Sequence, residues 1–173
     1  MKFLRLFVCA VSLFSFLNVS THAADNVTIN VTGKVVASPC VISPDDVVKN
    51  IDVGDAIPAN DAVGPISATQ NFTITLTNCP SGSSSVTATF SGSQSELLPD
   101  FMYNNTAATN AAGNVGIVLQ RSSTSGLGNG KTYKLDIVKG ENPVFNMQTY
   151  AYSKGNSSPG DISTSIVMAL EYN

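Results

Sequence analysis

"DISTSIVMALEYN", residues 161–173, closes the chain on a strict alternation. Ile162, Thr164, Ile166, Met168, Leu170 and Tyr172 fall on one face of an extended chain, and Ser163, Ser165, Val167, Ala169 and Glu171 on the other. Side chains of a strand point alternately to its two faces, so the pattern predicts a half-buried β-strand, the longest in the chain. Six inward positions in a row call for a second apolar layer to pack against.

Shorter segments with the same period supply that layer. "NFTITLTNC" (71–79) offers Phe72, Ile74 and Leu76; "SVTATFSG" (85–92) offers Val86, Ala88 and Phe90; "NVGIVLQ" (114–120) offers Val115, Ile117 and Leu119. "YKLDIV" (133–138) and "VFNMQTYAYS" (144–153) continue the series, and "VVASPCVI" (35–42) and "VKNIDVGD" (48–55) read as further short strands. Ser, Thr, Asn and Gly dominate between them, "GLGNGK" (126–131) reads as a turn, and no segment has a helical period. The stretch 93–113 reads as a long surface loop, tacked to the core by Leu97, Leu98 and Phe101. Many short strands divided by turn residues predict an all-β, antiparallel β-sandwich.

The other end of the chain alternates too. In "VTINVTGKVV" (27–36), Val27, Ile29, Val31, Gly33 and Val35 share a face. From pattern alone this is either the first strand of its own domain or a segment that pairs elsewhere. It follows Lys2 and Arg5, an apolar run over residues 6–17 and small residues, the layout of a secretory signal peptide, with cleavage expected after Ala23. Cleavage removes two of the nine basic residues and none of the twelve acidic ones, taking the net charge from −3 to −5. An acidic chain without a basic patch is not a nucleic-acid binder, and no later segment is apolar enough to span a membrane. Cys9 leaves with the signal peptide. Cys40 and Cys79 remain, which in an exported chain reads as one disulfide.

The chemistry of an enzyme is missing from the pattern. The single histidine, His22, precedes the expected cleavage point, so no imidazole is left for a triad or a metal site. Asp45, Asp46, Asp52 and Asp55 read as loop and turn carboxylates, and no metal, cofactor or catalytic residue is expected.

An alternating stretch just after a signal peptide, a glycine within it, "PC" soon after, a second cysteine in "LTNCP" and an alternating last strand with penultimate Tyr172 resemble the chaperone–usher pilins. Gly160, fourteenth from the C-terminus, matches the glycine that family carries before its last strand. Within the family the likeness is to the G-type minor adaptor subunits of type 1 fimbriae. It is carried by "ADNVTINVTGKVVASPC", "IDVGD", "LTNCPSGSSSVTATFSG" and the "KG" at 154–155.

The resemblance implies an immunoglobulin-like sandwich lacking its final strand, completed by a donor strand from another chain. A periplasmic chaperone lends that strand first. The N-terminal extension of the next subunit then replaces it at an outer-membrane usher, and the product is a cell-surface fimbrium. Carried onto this chain, residues 1–23 are the signal peptide, 24–36 the donor extension and 37–173 the incomplete domain. Val27, Ile29, Val31, Gly33 and Val35 are the donor's inward face. Gly160, Ile162, Thr164, Ile166, Met168, Leu170 and Tyr172 form the acceptor groove and the chaperone contact. The partners are neighbouring pilin subunits on both sides, the chaperone and the usher. The alternative function is a minor pilin that also binds a host glycan or receptor, with Tyr103, Tyr150 and Tyr152 as candidate stacking residues.

Overall fold

Leu76, Val86, Ala88 and Phe145, taken from three of the alternating segments, are each 0% exposed, and the architecture is built around them. The computed structural model describes residue 32, residues 39–55 and residues 57–173. The signal peptide and the donor positions Val27, Ile29, Val31, Gly33 and Val35 lie outside the described residues.

The strands are β1 (Val41–Ile42), β2 (Val63–Pro65), β3 (Gln70–Thr77), β4 (Ser85–Gly92), β5 (Met102–Asn104), β6 (Val115–Ser122), β7 (Ser125–Gly126), β8 (Thr132–Asp136), β9 (Val144–Lys154) and β10 (Ile166–Tyr172). The larger sheet runs β1-β3-β9-β6-β5, with β2 beside β9 and β7 beside β6; the smaller runs β10-β4-β8. Every strand pairing is antiparallel. This is the two-layer all-β sandwich that the alternation predicts.

The inward faces mesh as the period of two requires. Phe72, Ile74 and Leu76 of β3 and Phe145 and Met147 of β9 meet Val86, Ala88 and Phe90 of β4, Tyr133 of β8 and the inner face of β10. Tyr133 and Phe145 stack edge to face with centroids 5.0 Å apart, a favoured aromatic geometry. The Cys40–Cys79 disulfide ties the start of β1 to the chain just beyond β3.

Several expectations need correction. The longest strand is β9, with 11 residues, and β10 has 7. Residues 48–55 form no strand; Gly54 N–H donates instead to Asp52 Oδ1 in a tight turn. Of the stretch 35–42, the described part is a strand only at Val41–Ile42. The stretch 93–113 is not all surface loop, because it contains β5, whose Met102 and Tyr103 are both 0% exposed. Tyr103 Oη donates to the Leu127 carbonyl at 2.8 Å, and burial pushes its pKa up to about 12. A phenol sealed in this way cannot stack on a sugar, so Tyr103 is a core residue and not a stacking one. Leu97 and Leu98, each 38% exposed, do not tack the loop down.

Candidate functional site: an apolar groove along the last strand

The site begins with the backbone of β10. Asn173, just past the strand, exchanges both backbone hydrogen bonds with Ser85, at 2.9 and 3.0 Å. In an antiparallel ladder, bonded and non-bonded pairs alternate. From the register Glu171↔Thr87, Ala169↔Thr89 and Val167↔Ser91, the odd-numbered residues of β10 therefore spend their N–H and C=O groups on β4. The even-numbered residues, Ile166, Met168, Leu170 and Tyr172, turn theirs the other way. Among the described residues no strand pairs with that edge.

The same residues turn their side chains inward, over a bare part of the core. Strands lie about 4.8 Å apart, so three strands cannot roof the inner face of the larger sheet. The uncovered part is a cavity of about 730 Å³. Its floor is Phe72 and Ile74 of β3, Met147 and Thr149 of β9, and Ile117 and Leu119 of β6. One wall is Ile162, Thr164, Ile166, Met168 and Leu170, and the other is Ile42 with the segment 46–53. Ile166, Met168, Leu170 and Phe72 are only half-buried although they belong to the core cluster. A groove of this kind joins an apolar slot to a row of unpaired backbone groups, both hazards for aggregation unless something covers them.

Beyond the β1–β3 pairing and the Ser43 N–H bond to the Thr75 carbonyl, the far wall is fastened by a carboxylate. Asp46 sits in a 3-10 turn (Pro44–Asp46); its Oδ1 accepts from Lys49 Nζ at 2.7 Å and its Oδ2 from Thr75 N–H at 2.8 Å. Far from being a solvated loop charge, it pins the groove wall to β3. The Lys49 ammonium, and after it the Thr75 amide, hold the carboxyl below its ordinary 3.8. A group with a depressed folded pKa stabilises the fold above its unfolded value, and that contribution is lost as pH falls through the folded one. Below about pH 4 the wild type is therefore expected to lose melting temperature more steeply than Asp46→Asn, with the two curves converging at the acid end. Parallel curves in differential scanning fluorimetry would remove Asp46 from this role.

Five of the seven expected groove residues, Ile162, Thr164, Ile166, Met168 and Leu170, line the cavity. Tyr172 packs against the core beyond its end. Gly160 does not reach it. At φ +152° its backbone lies against residues 110–112, where a Cβ would run into the Asn110 carbonyl oxygen and the Ala112 nitrogen. It is a turn glycine held against a neighbouring loop. Tyr150 and Tyr152 stand half-buried with ring centroids 6.5 Å apart, on the face of β9 opposite to Phe145 and Met147. The wall 46–53 adds residues beyond the alternating last strand to the site, and Ile51 and Val53 beside polar neighbours are its one signal in the sequence. Among the described residues no cluster of His, Cys, Asp or Glu could hold a metal ion.

A model of the family described as fimbrial protein matches residues 29–173. Protein FimG of Escherichia coli (strain K12) is 32% identical over 164 residues, covering 93% of each chain. The S-fimbrial adhesin protein SfaS of Escherichia coli O6:K15:H31 (strain 536 / UPEC) is 31% identical over 172 residues, 98% of each. The P pilus rod subunit PapA superposes with a TM-score of 0.62 at 20% identity, over 79% of this chain and 100% of that one, so the immunoglobulin-like sandwich is a shared fold. One family model thus spans the sheets, the groove and the last strand, and the chain belongs to the fimbrial protein family, whose members are structural subunits exported to surface fimbriae.

Proposed function

We propose that this chain is a subunit of a chaperone–usher fimbria, joined to its neighbours by donor-strand exchange, and that it serves as a minor adaptor near the fibre tip. The observation that carries the reading is the edge of β10, unpaired among the described residues, above a cavity of about 730 Å³. A strand laid there gains backbone hydrogen bonds from Ile166, Met168, Leu170 and Tyr172 and sets alternate side chains into the slot. The chaperone's strand fills it first and the next subunit's extension afterwards. Residues 27–35 of this chain play the same part in the other neighbour, with Val27, Ile29, Val31, Gly33 and Val35 facing in. The adaptor role is supported by the identity to FimG along nearly the whole chain.

Gly33 supplies the test. A glycine weakens a strand, so its place on the inward face implies a shallow site in the neighbour's groove. In synthetic peptides of residues 26–36, Gly33→Leu should bind a chaperone-free partner pilin far more weakly than the native peptide. Overpacking costs ~1–3 kcal/mol, or roughly 5- to 150-fold. Lys34→Leu, on the outward face, should change affinity less than about threefold. Equal affinities of the two variants, measured by fluorescence anisotropy, would show the inward face to be wrongly assigned.

A further inference from the structure

β4 ends at Gly92, which pairs with Ile166, so residues 161–165 have no strand beside them. Yet half-buried and exposed residues alternate without a break from Ile162 to Tyr172, and Ile162 and Thr164 line the groove as Ile166 does. Something else holds this segment extended.

The holder is the loop after β5, and its hub is one side chain. Asn105 Nδ2 donates to the Asp161 carbonyl at 2.8 Å and to the Ala112 carbonyl at 3.0 Å. Asn105 Oδ1 accepts from Ser163 N–H at 2.9 Å and from Ala107 N–H at 3.1 Å. Thr106 N–H donates to the Ser163 carbonyl at 2.7 Å, Ala112 N–H to the Asp161 carbonyl at 2.9 Å, and Asp161 N–H to the Asn110 carbonyl at 2.7 Å. Every backbone polar group of Asp161 and Ser163 is thus taken up by this loop, as those of Val167, Ala169 and Glu171 are by β4. The loop replaces β4 beyond its end, and Ile162 and Thr164 keep the orientation of the even-numbered residues.

We propose that Asn105 is a positioning residue that sets the length of the acceptor groove, adding the inward positions Ile162 and Thr164 to the three of β10 that line the cavity. The inference rests on the donor-strand reading of that groove. The amide group alone suits the task, because it must both donate to the loop and segment carbonyls and accept from the Ser163 and Ala107 amides. A donor strand then meets a wall of five inward residues; without the latch it meets three.

The test uses the exported chain, wild type and Asn105→Ala, and three synthetic peptides: residues 26–36, 28–36 lacking Val27, and 26–34 lacking Val35. Losing one buried apolar side chain should cost wild-type binding roughly tenfold at either end. In Asn105→Ala, the trim at the Ile162 end should cost less than about threefold, while the other trim still costs about tenfold. If all three peptides weaken by one common factor, or both trims cost what they cost the wild type, Asn105 is structural only and the proposal is overturned. If the wild type binds none of them, its groove is no seat for a strand of this pattern and the proposal is overturned, while the partner-pilin assay with residues 26–36 decides the donor-strand reading separately. Should Asn105→Ala not fold, Asn105→Asp takes its place, since it keeps the two accepted bonds and removes both donated ones. Its trim costs should then become unequal in the same direction, and equal costs overturn the proposal.

Discussion

A donor peptide laid along β10 is expected to raise the melting temperature of the exported chain by roughly 12–48 °C. On the donor-strand reading, with this chain's own residues 26–36 standing in for the next subunit's extension, the four large side chains Val27, Ile29, Val31 and Val35 would bury into the slot at about 1.5–3 kcal/mol each, an upper bound of roughly 6–12 kcal/mol. A domain of this size gains roughly 2–4 °C per kcal/mol. The peptide binds only the folded state, so the shift grows with its concentration, by about 1.4 kcal/mol for each tenfold excess over Kd. Ordering the peptide offsets part of this, which places the expected value in the lower half of the range. Calorimetry across a peptide titration checks it. A shift under about 3 °C at the highest concentration would mean that the half-buried faces of Ile166, Met168 and Leu170 are not the seat of a strand.

Removing the disulfide has the second largest effect. Cys40 and Cys79 are 39 residues apart, and in the chain-entropy model closing such a loop stabilises by about 4 kcal/mol. The double variant Cys40→Ala, Cys79→Ala, measured with its groove filled by the same peptide, should melt roughly 8–16 °C lower than the wild type. Replacing both residues avoids leaving one reactive thiol. The wild type in reductant should approach the variant. A difference below about 1 kcal/mol would show that β1 is held by its packing and not by the bridge.

The period of two was legible wherever it mattered for the groove. Ile162 to Tyr172 alternate in the sequence and alternate in burial, although regular pairing begins only at Ile166. Periodicity reports which way side chains face and is silent about what holds the backbone. For that reason it extended β10 to residue 161 and gave residues 48–55 a strand they do not form. An extended segment becomes a strand only when a neighbour takes its hydrogen bonds, and residues 49–53 line the side of the cavity where no partner is described. Met102 and Tyr103 were hidden for another reason. A three-residue strand, Met102–Asn104, is too short to show a period, and the Tyr103 hydroxyl finds its acceptor in the Leu127 carbonyl, 24 residues away. Asp46 and Asn105 lie beyond any local reading, because their partners, Thr75 and Asp161, are 29 and 56 residues away.

The bridge at Cys40 also governs how tension enters the subunit. On the donor-strand reading, a fibre under tension would load this subunit from its N-terminal side, and among the described residues that load meets the domain at Cys40. The next residues, Val41 and Ile42, have only the two ladder pairs Val41↔Thr77 and Ile42↔Leu76, with the Thr77 hydroxyl on the Val41 carbonyl beside them, a short grip that peels easily. The covalent link passes the load around that ladder to Cys79, just beyond β3. β3 is seated on β9 from Gln70↔Thr149 to Thr75↔Val144. The central sheet carries the pull, and the short edge strand is left unloaded beside the slot that it helps to wall.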